Sequence, residues 1–297
     1  MIKNLILSGG AFKCCSHIGC IQYLEEHKAL QHIDTFIGTS AGSLVCLCLC
    51  LGYSSSQIRE AIKDFISLQK DCPPDIDTVL NLYYTMGLLD GKIIYKFVER
   101  LLQKRAKVSN MSFLEFTKLT GKNFIVYSAK LPSLETTYFS VDTTPDLDIA
   151  TAIRASCSLP VIFTPVKIGE NLFIDSGMVA NFPHDYVKNN KLKDTLGIHI
   201  KSDLKMHLPD NLNVVTMLRM VLDSMMRRAN ESNGHIPTCM THVEVIQPDC
   251  DGFEINFDVT TCSFNISDEK INQYIELGYK RIKQVLGLQE KITQDVL

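Results

Sequence analysis

The stretch Gly38-Thr39-Ser40-Ala41-Gly42 joins a strand-like apolar run, residues 35–38, to a helix-like apolar run, residues 42–51. Small residues at such a junction let the chain turn sharply from a strand into a helix, and one serine hydroxyl is left exposed at the tip. The pattern is typical of a nucleophile elbow. It predicts Ser40 as a nucleophile and Gly38 and Gly42 as the residues that allow the turn.

A second glycine turn lies one unit upstream of the elbow. Residues 4–8 read as a buried strand, residues 8–14 as a loop, and residues 16–27 as a helix with an apolar face. Two strands that each turn at glycines into a helix form a βαβα unit, which builds a parallel sheet. Right-handed crossovers then place both turns at the carboxyl edge of that sheet.

The upstream turn, Ser8-Gly9-Gly10-Ala11-Phe12-Lys13, can direct backbone N–H groups at a negative charge near a helix N-terminus. Two uses follow, a phosphate cradle or an oxyanion hole. The G-x-G-x-x-G and G-x-x-x-x-G-K-[ST] patterns of nucleotide binding are both absent. With a serine elbow on the next strand, the sequence favours an oxyanion hole formed by Gly9, Gly10 and Ala11.

A serine hydroxyl needs a base, and Asp175 is the candidate. It follows a short predicted strand, residues 172–174, and precedes the small residues Ser176 and Gly177. This placement could direct its carboxylate toward the same sheet edge as Ser40. A lone aspartate at a strand end is otherwise most often a turn or helix cap.

Together these three elements resemble the patatin-like phospholipase family. The family signature has a glycine-rich loop with Arg or Lys, a G-x-S-x-G elbow, and a D-G-[GA] motif well downstream. This chain has residues 9–13, 38–42 and 175–177 in that order. Its residues 152–156, 159–165 and 181–183 also resemble the flanking A-[IV]-R-A-S, P…F-x-P and N-x-P blocks. The resemblance covers roughly residues 5–187.

The resemblance implies a three-layer α/β/α fold with a mostly parallel central sheet. It also implies a Ser-Asp dyad in which Ser40 attacks an ester carbonyl and Asp175 is the general base. The Gly9–Ala11 amides would hold the oxyanion, and Lys13 would support the loop or bind an anionic head group. The implied substrates are lipid acyl esters, phospholipids or acylglycerols, and no metal or cofactor is required.

Two positions depart from the family pattern. Cys14 stands where the glycine-rich loop has a final glycine, and Ser176 stands in the middle of the aspartate motif. If either position required a left-handed backbone, the non-glycine residue would cost about 1 kcal/mol. The departures leave open a catalytically impaired relative that binds lipid or protein.

A different serine hydrolase is the second alternative. An α/β-hydrolase with a Ser-Asp-His triad could use Ser40, Asp175 and either His184 or His199. That fold usually has several strands before its elbow, whereas only one strand–helix unit precedes Ser40 here.

Composition limits the partners. The 297 residues include 30 basic and 33 acidic ones, and no long basic run occurs. Nucleic acid is therefore a poor candidate for a binding partner. Contact with a membrane would be peripheral and would rest on apolar loops rather than on charge. The apolar run at residues 44–51 is too short to span a bilayer. The oligomeric state is left open.

The eleven cysteines contain no C-x-x-C pair, which favours buried small hydrophobes over a zinc site. Their odd number and their clustering on a predicted helix favour a reducing compartment, and the N-terminus has too short an apolar run for a signal peptide. We therefore expect a soluble, cytoplasmic protein.

For domain organisation, residues 1–190 are predicted to form the catalytic domain. Residues 191–297 are predicted as an extension that completes the same α/β domain. Residues 54–107 are the expected lid. In the predicted helix 211–228, the methionines Met217, Met220, Met225 and Met226 are expected to fill the core.

Overall fold

The computed structural model describes residues 1–68, 82–187, 189–202, 214–231, 236–247, 257–258, 263–264 and 266–295. Its centre is an eight-stranded sheet with the strand order β10-β9-β1-β2-β4-β8-β7, in which β5 also pairs with β4. These strands are β1 (Asn4–Leu7), β2 (Thr35–Thr39), β4 (Asn123–Leu131), β5 (Glu135–Phe139), β7 (Val166–Ile168), β8 (Asn171–Ile174), β9 (Thr195–Ser202) and β10 (Thr241–Gln247). Strands β10, β9, β1, β2 and β4 are parallel, and β5, β7 and β8 add antiparallel pairs.

Two smaller sheets each contain two strands. One pairs β3 (Gly87–Leu89) with β6 (Val161–Phe163) in parallel, and the other pairs β11 (Phe257–Asp258) with β12 (Ser263–Phe264). The described α-helices are α1 (Cys15–Glu26), α2 (Ala41–Cys50), α3 (Ser55–Leu68), α4 (Leu82–Thr85), α5 (Lys92–Ala106), α6 (Phe113–Thr120), α7 (Ile149–Ser156), α8 (Val214–Glu231) and α9 (Asp268–Asp295).

Apolar side chains alternate along the central strands and bury both faces of the sheet. On one face, Leu5, Phe36 and Val126 belong to the large core cluster, which also contains the apolar faces of α1, α2, α3, α5, α6 and α7. On the opposite face, Ile6 and Ile37 belong to a smaller cluster that also contains Phe182, Val187 and Leu192. The α/β fold with a mostly parallel central sheet is therefore confirmed, and its two outer layers are unequal in size.

The parallel pairing places the two glycine turns side by side. Leu7 of β1 pairs with Gly38 of β2, so the loop after β1 and the elbow after β2 leave the same carboxyl edge of the sheet. The upstream turn is not wholly a loop, as the sequence predicted, because Ala11–Cys14 forms a 3₁₀ helix that continues into α1.

Strands beyond residue 190 join the same sheet. β9 pairs with β1, β10 pairs with β9, and the long helix α9 packs along α1. The two helices cross closely because each has a glycine at the contact, Gly19 in α1 and Gly278 in α9, directly against the backbone of the other helix. A Cβ on Gly19 would lie 1.8 Å from the Ile275 carbonyl oxygen, and one on Gly278 would lie 1.9 Å from that of Ser16. The division at residue 190 itself stays a prediction.

Some sequence predictions were wrong in detail. The methionines of α8 do not all fill the core, since Met217 is 52% exposed and Met225 is 39% exposed. Helix α9 continues to Asp295, whereas the predicted helix ended at residue 285. Strands β3 and β6, each three residues long, were not predicted. Part of the helix expected at residues 78–86 lies outside the described residues, which begin again at Leu82.

Most of the described cysteines are buried, as the sequence predicts. Seven are buried and free, and Cys239 is free and exposed. Burial raises the pKa of thiols such as Cys20 above the ordinary range, so these groups stay protonated. Among the described residues, no helix has the length and apolar character needed to cross a membrane.

Candidate active site

Ser40 lies at the junction of β2 and α2 in a conformation that few non-glycine residues adopt, with φ 51° and ψ −128°. The neighbouring glycines make this turn possible by close backbone approach. A Cβ on Gly38 would lie 2.5 Å from Ser43 Cα, and a Cβ on Gly42 would lie 2.4 Å from the Ser8 carbonyl oxygen. The strained backbone places the Ser40 side chain at the edge of the sheet.

The structure brings Ser40 and Asp175 into direct contact, although they are separated by 135 residues. Ser40 Oγ donates a hydrogen bond to Asp175 Oδ2 at 2.6 Å. The other carboxylate oxygen, Oδ1, accepts the Gly177 N–H at 2.7 Å. The turn predicted after Asp175 is thus the element that orients its carboxylate.

Burial changes the protonation of Asp175. The side chain is 6% exposed, and the loss of solvation raises the pKa of its carboxyl group to about 6. Hydrogen bonds from Ser40 and Gly177 act in the opposite direction, because they stabilise the carboxylate. At neutral pH the group is ionised and is far more basic than an exposed aspartate, which suits proton transfer from a hydroxyl.

Ser156 holds the elbow and was not identified as a site residue from the sequence. Its Oγ accepts the Ser40 N–H at 2.7 Å and donates to the Tyr127 carbonyl oxygen at 2.5 Å. Ser156 is fully buried at the end of α7, so it connects the strained residue to β4. The signal that could have found it is the A-[IV]-R-A-S block, whose last residue it is.

The glycine-rich loop runs directly past the elbow. A Cβ on Gly9 would lie 3.1 Å from Ser40 Cβ and 2.6 Å from Asn181 Oδ1, so a larger residue would displace both neighbours. Gly10 and Ala11 line the cavity in front of Ser40, and Ala11 has a left-handed backbone with φ 45°. Asn181, from the N-x-P block, donates to the Gly9 carbonyl oxygen at 3.4 Å.

The two departures from the family pattern carry no left-handed backbone strain. Cys14 has φ −56° and ψ −16°, in the right-handed helical region. Ser176 is not among the non-glycine residues with positive φ. Lys13 is only 4% exposed, which favours support of the loop over contact with a head group.

An apolar cavity of about 140 Å³ opens beside Ser40 and Asp175. Its walls come mainly from α2, α3, α5 and β6, so part of the predicted lid, residues 54–107, lines it. Phe65 of α3 packs edge-on against Phe97 of α5 and closes one side. The apolar wall residues include Leu44, Val45, Ile58, Ile62, Ile94 and Phe163.

Arg154, from the A-[IV]-R-A-S block, connects two of the elements that line the cavity, α5 and β6. Its guanidinium is almost fully buried and donates to the carbonyl oxygens of Asp90 at 3.0 Å and Thr164 at 2.6 Å. A Cβ on Gly91 would lie 1.6 Å from Arg154 Nε, so only glycine fits there. Arg154 therefore fixes the start of α5 to the loop after β6.

Neither histidine considered for a triad contacts the pair. His199 Nε2 donates to Asn230 Oδ1 at 3.2 Å, and burial lowers the pKa of this imidazole to about 3. His184 contacts the Phe182 carbonyl oxygen and the Phe182 ring. Within the described part of the chain, no histidine hydrogen-bonds to Ser40 or to Asp175.

Comparison with known proteins gives consistent results. A family model described as patatin-like phospholipase matches residues 5–188. "Probable lipid hydrolase 463L" of Invertebrate iridescent virus 6 is 32% identical over 206 residues, which cover 64% of this chain and 67% of the viral protein. "Uncharacterized protein R571" of Acanthamoeba polyphaga mimivirus is 26% identical over 301 residues, which cover 95% of this chain and 93% of that protein.

A solved structure supports the fold. The crystal structure of VipD from Legionella pneumophila is similar to this chain with a TM-score of 0.59. The match covers 96% of this chain and 67% of the VipD chain at 17% sequence identity. At this level of identity the similarity shows the shared architecture and nothing finer.

Proposed function

Because this chain belongs to the patatin-like phospholipase family, we propose that it hydrolyses lipid acyl esters with Ser40 as nucleophile and Asp175 as general base. The observation that carries the proposal is the 2.6 Å hydrogen bond between Ser40 Oγ and the buried Asp175 carboxylate at the mouth of an apolar cavity.

The first half-reaction forms an acyl-enzyme. Asp175 accepts the Ser40 hydroxyl proton as Oγ attacks the ester carbonyl carbon, and the carbonyl oxygen becomes an oxyanion. Amides of the loop at Gly9, Gly10 and Ala11 stabilise this charge, and one such donor is typically worth about 3–4 kcal/mol. The tetrahedral intermediate then collapses, the alcohol leaves, and the protonated Asp175 returns the proton to the leaving oxygen.

The second half-reaction reverses these roles with water. Asp175 removes a proton from a water molecule, which attacks the acyl carbonyl carbon. The Ser40–acyl bond breaks, Ser40 regains its proton, and the fatty acid leaves. The chemistry uses only the carboxylate, the hydroxyl and the amides, so a pair of side chains suffices.

The cavity supports an acyl chain as the group next to the reacting ester. Its walls are aliphatic and aromatic side chains, and its polar groups gather at the end that holds Ser40 and Asp175. Apolar walls with a few convergent polar groups suit a hydrocarbon group whose ester lies at the polar end.

The test combines active-site labelling with hydrolysis of a chain-length series of esters. We expect a fluorophosphonate to label the wild-type chain, and Ser40→Ala to lose both labelling and hydrolysis. Asp175→Asn should fold but lose most activity. Ser133→Ala, at an exposed serine, and His184→Ala are the matched controls and should keep both properties.

Each alternative gives a different result. A catalytically impaired relative would remain unlabelled as the wild-type chain. A Ser-Asp-His triad would make His184→Ala or His199→Ala inactive while the chain remained folded. Full hydrolysis by Ser40→Ala would refute the mechanism.

A further inference from the structure

Three side chains of the kinds that can bind a metal ion lie close together on the last two strands at one end of the sheet. His199 is on β9, and His242 and Glu244 are on the neighbouring strand β10. In the parallel register, His199 pairs with Glu244, and His242 is two residues earlier on the same face. One ligand atom from each side chain lies within 4.8 Å of the other two.

Two of these side chains have buried nitrogen atoms that no described residue satisfies. His199 Nδ1 and His242 Nε2 are both inaccessible to solvent and have no hydrogen-bond partner within the described ranges. A buried polar atom without a partner costs about 1–3 kcal/mol, so a group that bound both of these nitrogen atoms would offset an unfavourable contribution to the free energy of folding.

The tautomer of His199 leaves a lone pair on Nδ1, which could coordinate a metal ion. Asn230 Oδ1 accepts a hydrogen bond from Asn181 Nδ2 at 2.8 Å and another from His199 Nε2 at 3.2 Å. Since Nε2 therefore carries the proton, Nδ1 carries a lone pair. A hydrogen bond from the other ring nitrogen to an oxygen acceptor is the usual support of a metal-binding histidine.

We propose that His199, His242 and Glu244 bind a divalent transition-metal ion, and that Zn²⁺ suits these donors best. Two imidazoles and one carboxylate are a common zinc donor set, whereas Mg²⁺ and Ca²⁺ prefer oxygen ligands throughout. The site lies outside the proposed dyad chemistry, which needs no metal.

Small side-chain movements complete the geometry. Ligands at about 2.0–2.1 Å from a tetrahedral zinc ion lie about 3.4 Å from one another, so atoms that are now up to 4.8 Å apart must approach by up to about 1.4 Å. The Phe182 ring stacks on His199 at 4.8 Å with the rings 6° from parallel, and it lies 5.2 Å from His242. Phe182 thus forms an apolar wall that orients the first imidazole.

Lys201 forms an ion pair with the Glu244 carboxylate. Its Nζ lies 2.5 Å from Glu244 Oε1, and both side chains are about one-third exposed. The ammonium group balances the charge that a divalent cation would otherwise balance. Metal binding must therefore displace Lys201 or use the second carboxylate oxygen, and removal of the lysine should favour the ion.

The experiment measures Zn²⁺ binding to the chelator-treated full chain by titration calorimetry and by the shift in Tm. We expect one Zn²⁺ per chain and a rise in Tm for the wild-type chain. Glu244→Gln and His242→Gln each remove a proposed ligand, so they should weaken binding at least as much as the roughly 10- to 100-fold that loss of a partner supporting a ligand typically costs. Lys201→Met should tighten binding, a gain that misfolding cannot produce.

The controls separate this site from other zinc ligands. Cys239→Ser, three residues from His242, and His32→Gln, at an exposed histidine, should bind Zn²⁺ as the wild-type chain does. The proposal fails if the wild-type chain binds no Zn²⁺, if both ligand variants bind unchanged, if Lys201→Met does not bind more tightly, or if Cys239→Ser abolishes binding. None of these readouts depends on ester hydrolysis.

Discussion

Asp175 makes the pH dependence of the proposed reaction predictable at the level of a single residue. Burial raises the pKa of this carboxyl group to about 6, and only the ionised form can accept the Ser40 proton. We therefore expect kcat to rise as the pH increases through about 6, to level off above pH 7, and to fall about tenfold per unit below pH 5.

A steady-state pH profile on a soluble ester checks this expectation. An imidazole base would give a rise in the same region, so the profile is repeated on His184→Ala. An unchanged profile in this variant supports the carboxylate, whereas a rise centred near pH 4 in the wild-type chain would contradict the raised pKa.

Ser156 is a positioning residue, and its removal tests how strongly the elbow depends on its hydrogen bonds. Ser156→Ala leaves the Ser40 N–H and the Tyr127 carbonyl oxygen without their partner. We expect the free energy of unfolding to fall by about 1–3 kcal/mol. We also expect kcat to fall about 10- to 100-fold with little change in KM, since the acyl cavity is untouched.

Urea unfolding and steady-state kinetics measure the two effects. Ser133→Ala is the control, because this serine lies in an exposed turn. A wild-type kcat in Ser156→Ala would show that the strained Ser40 backbone holds its position without this contact.

The candidate site was predictable to the extent that its residues stand in short motifs. Ser40 and the two glycine turns are local patterns, and their position between a strand and a helix is what predicts a nucleophile elbow and an oxyanion loop. Ser156 and Asn181 lie in recognisable blocks, but their contacts with Ser40 and Gly9 span more than a hundred residues. The His199–His242–Glu244 cluster depends on the register of two parallel strands, which cysteine spacing could not indicate.

At the scale of elements, the crossing of α1 and α9 is the most exacting contact. A Cβ on Gly278 would collide with the Ser16 carbonyl oxygen, whereas a Cβ on Gly287, nine residues further along α9, meets nothing within 4 Å. We expect Gly278→Ala to destabilise the protein by about 1–3 kcal/mol. Gly287→Ala should stabilise it by about 0.5–1 kcal/mol, since alanine favours a helix over glycine.

Chemical unfolding of both variants beside the wild-type chain measures this contrast within one helix. Equal effects of the two substitutions would mean that α9 can shift away from α1 without lowering the free energy of unfolding. Retention of wild-type stability in Gly278→Ala would likewise contradict the close crossing.

The elements that the sequence missed are the ones without a repeating pattern long enough to detect. Strands β3 and β6 contain three residues each, and they pair with each other across more than 70 residues. The exposed methionines of α8 show a second difficulty. A helical stripe gives one apolar face, but it does not say whether another element covers that face.

At the scale of the whole molecule, α8 is the element that we expect to bring the cavity to a lipid surface. Met226 lines the cavity, while Val221 and Met225 on the same helix are exposed, and Arg227 and Arg228 are exposed next to them. Exposed apolar groups beside basic side chains suit peripheral contact with anionic lipid. We expect Val221→Asp/Met225→Asp to reduce hydrolysis of anionic phospholipid vesicles about tenfold or more.

Hydrolysis of a short soluble ester by the same variant is the internal control and should remain at the wild-type rate. Cosedimentation with vesicles measures the binding itself. Parallel losses on both substrates would show that the substitutions disturb the cavity rather than the contact with lipid.

The position of β1 has a consequence for synthesis on the ribosome. This strand lies between β2 and β9, and Ser8 Oγ, at the start of the glycine-rich loop, accepts the Ile200 N–H. Ser40 is translated before residues 195–202, so the loop beside it gains its second flanking strand only after those later residues have emerged. If the loop holds the oxyanion as proposed, we expect a nascent chain to gain hydrolytic activity only after β9 has paired with β1, and not when Ser40 itself has emerged.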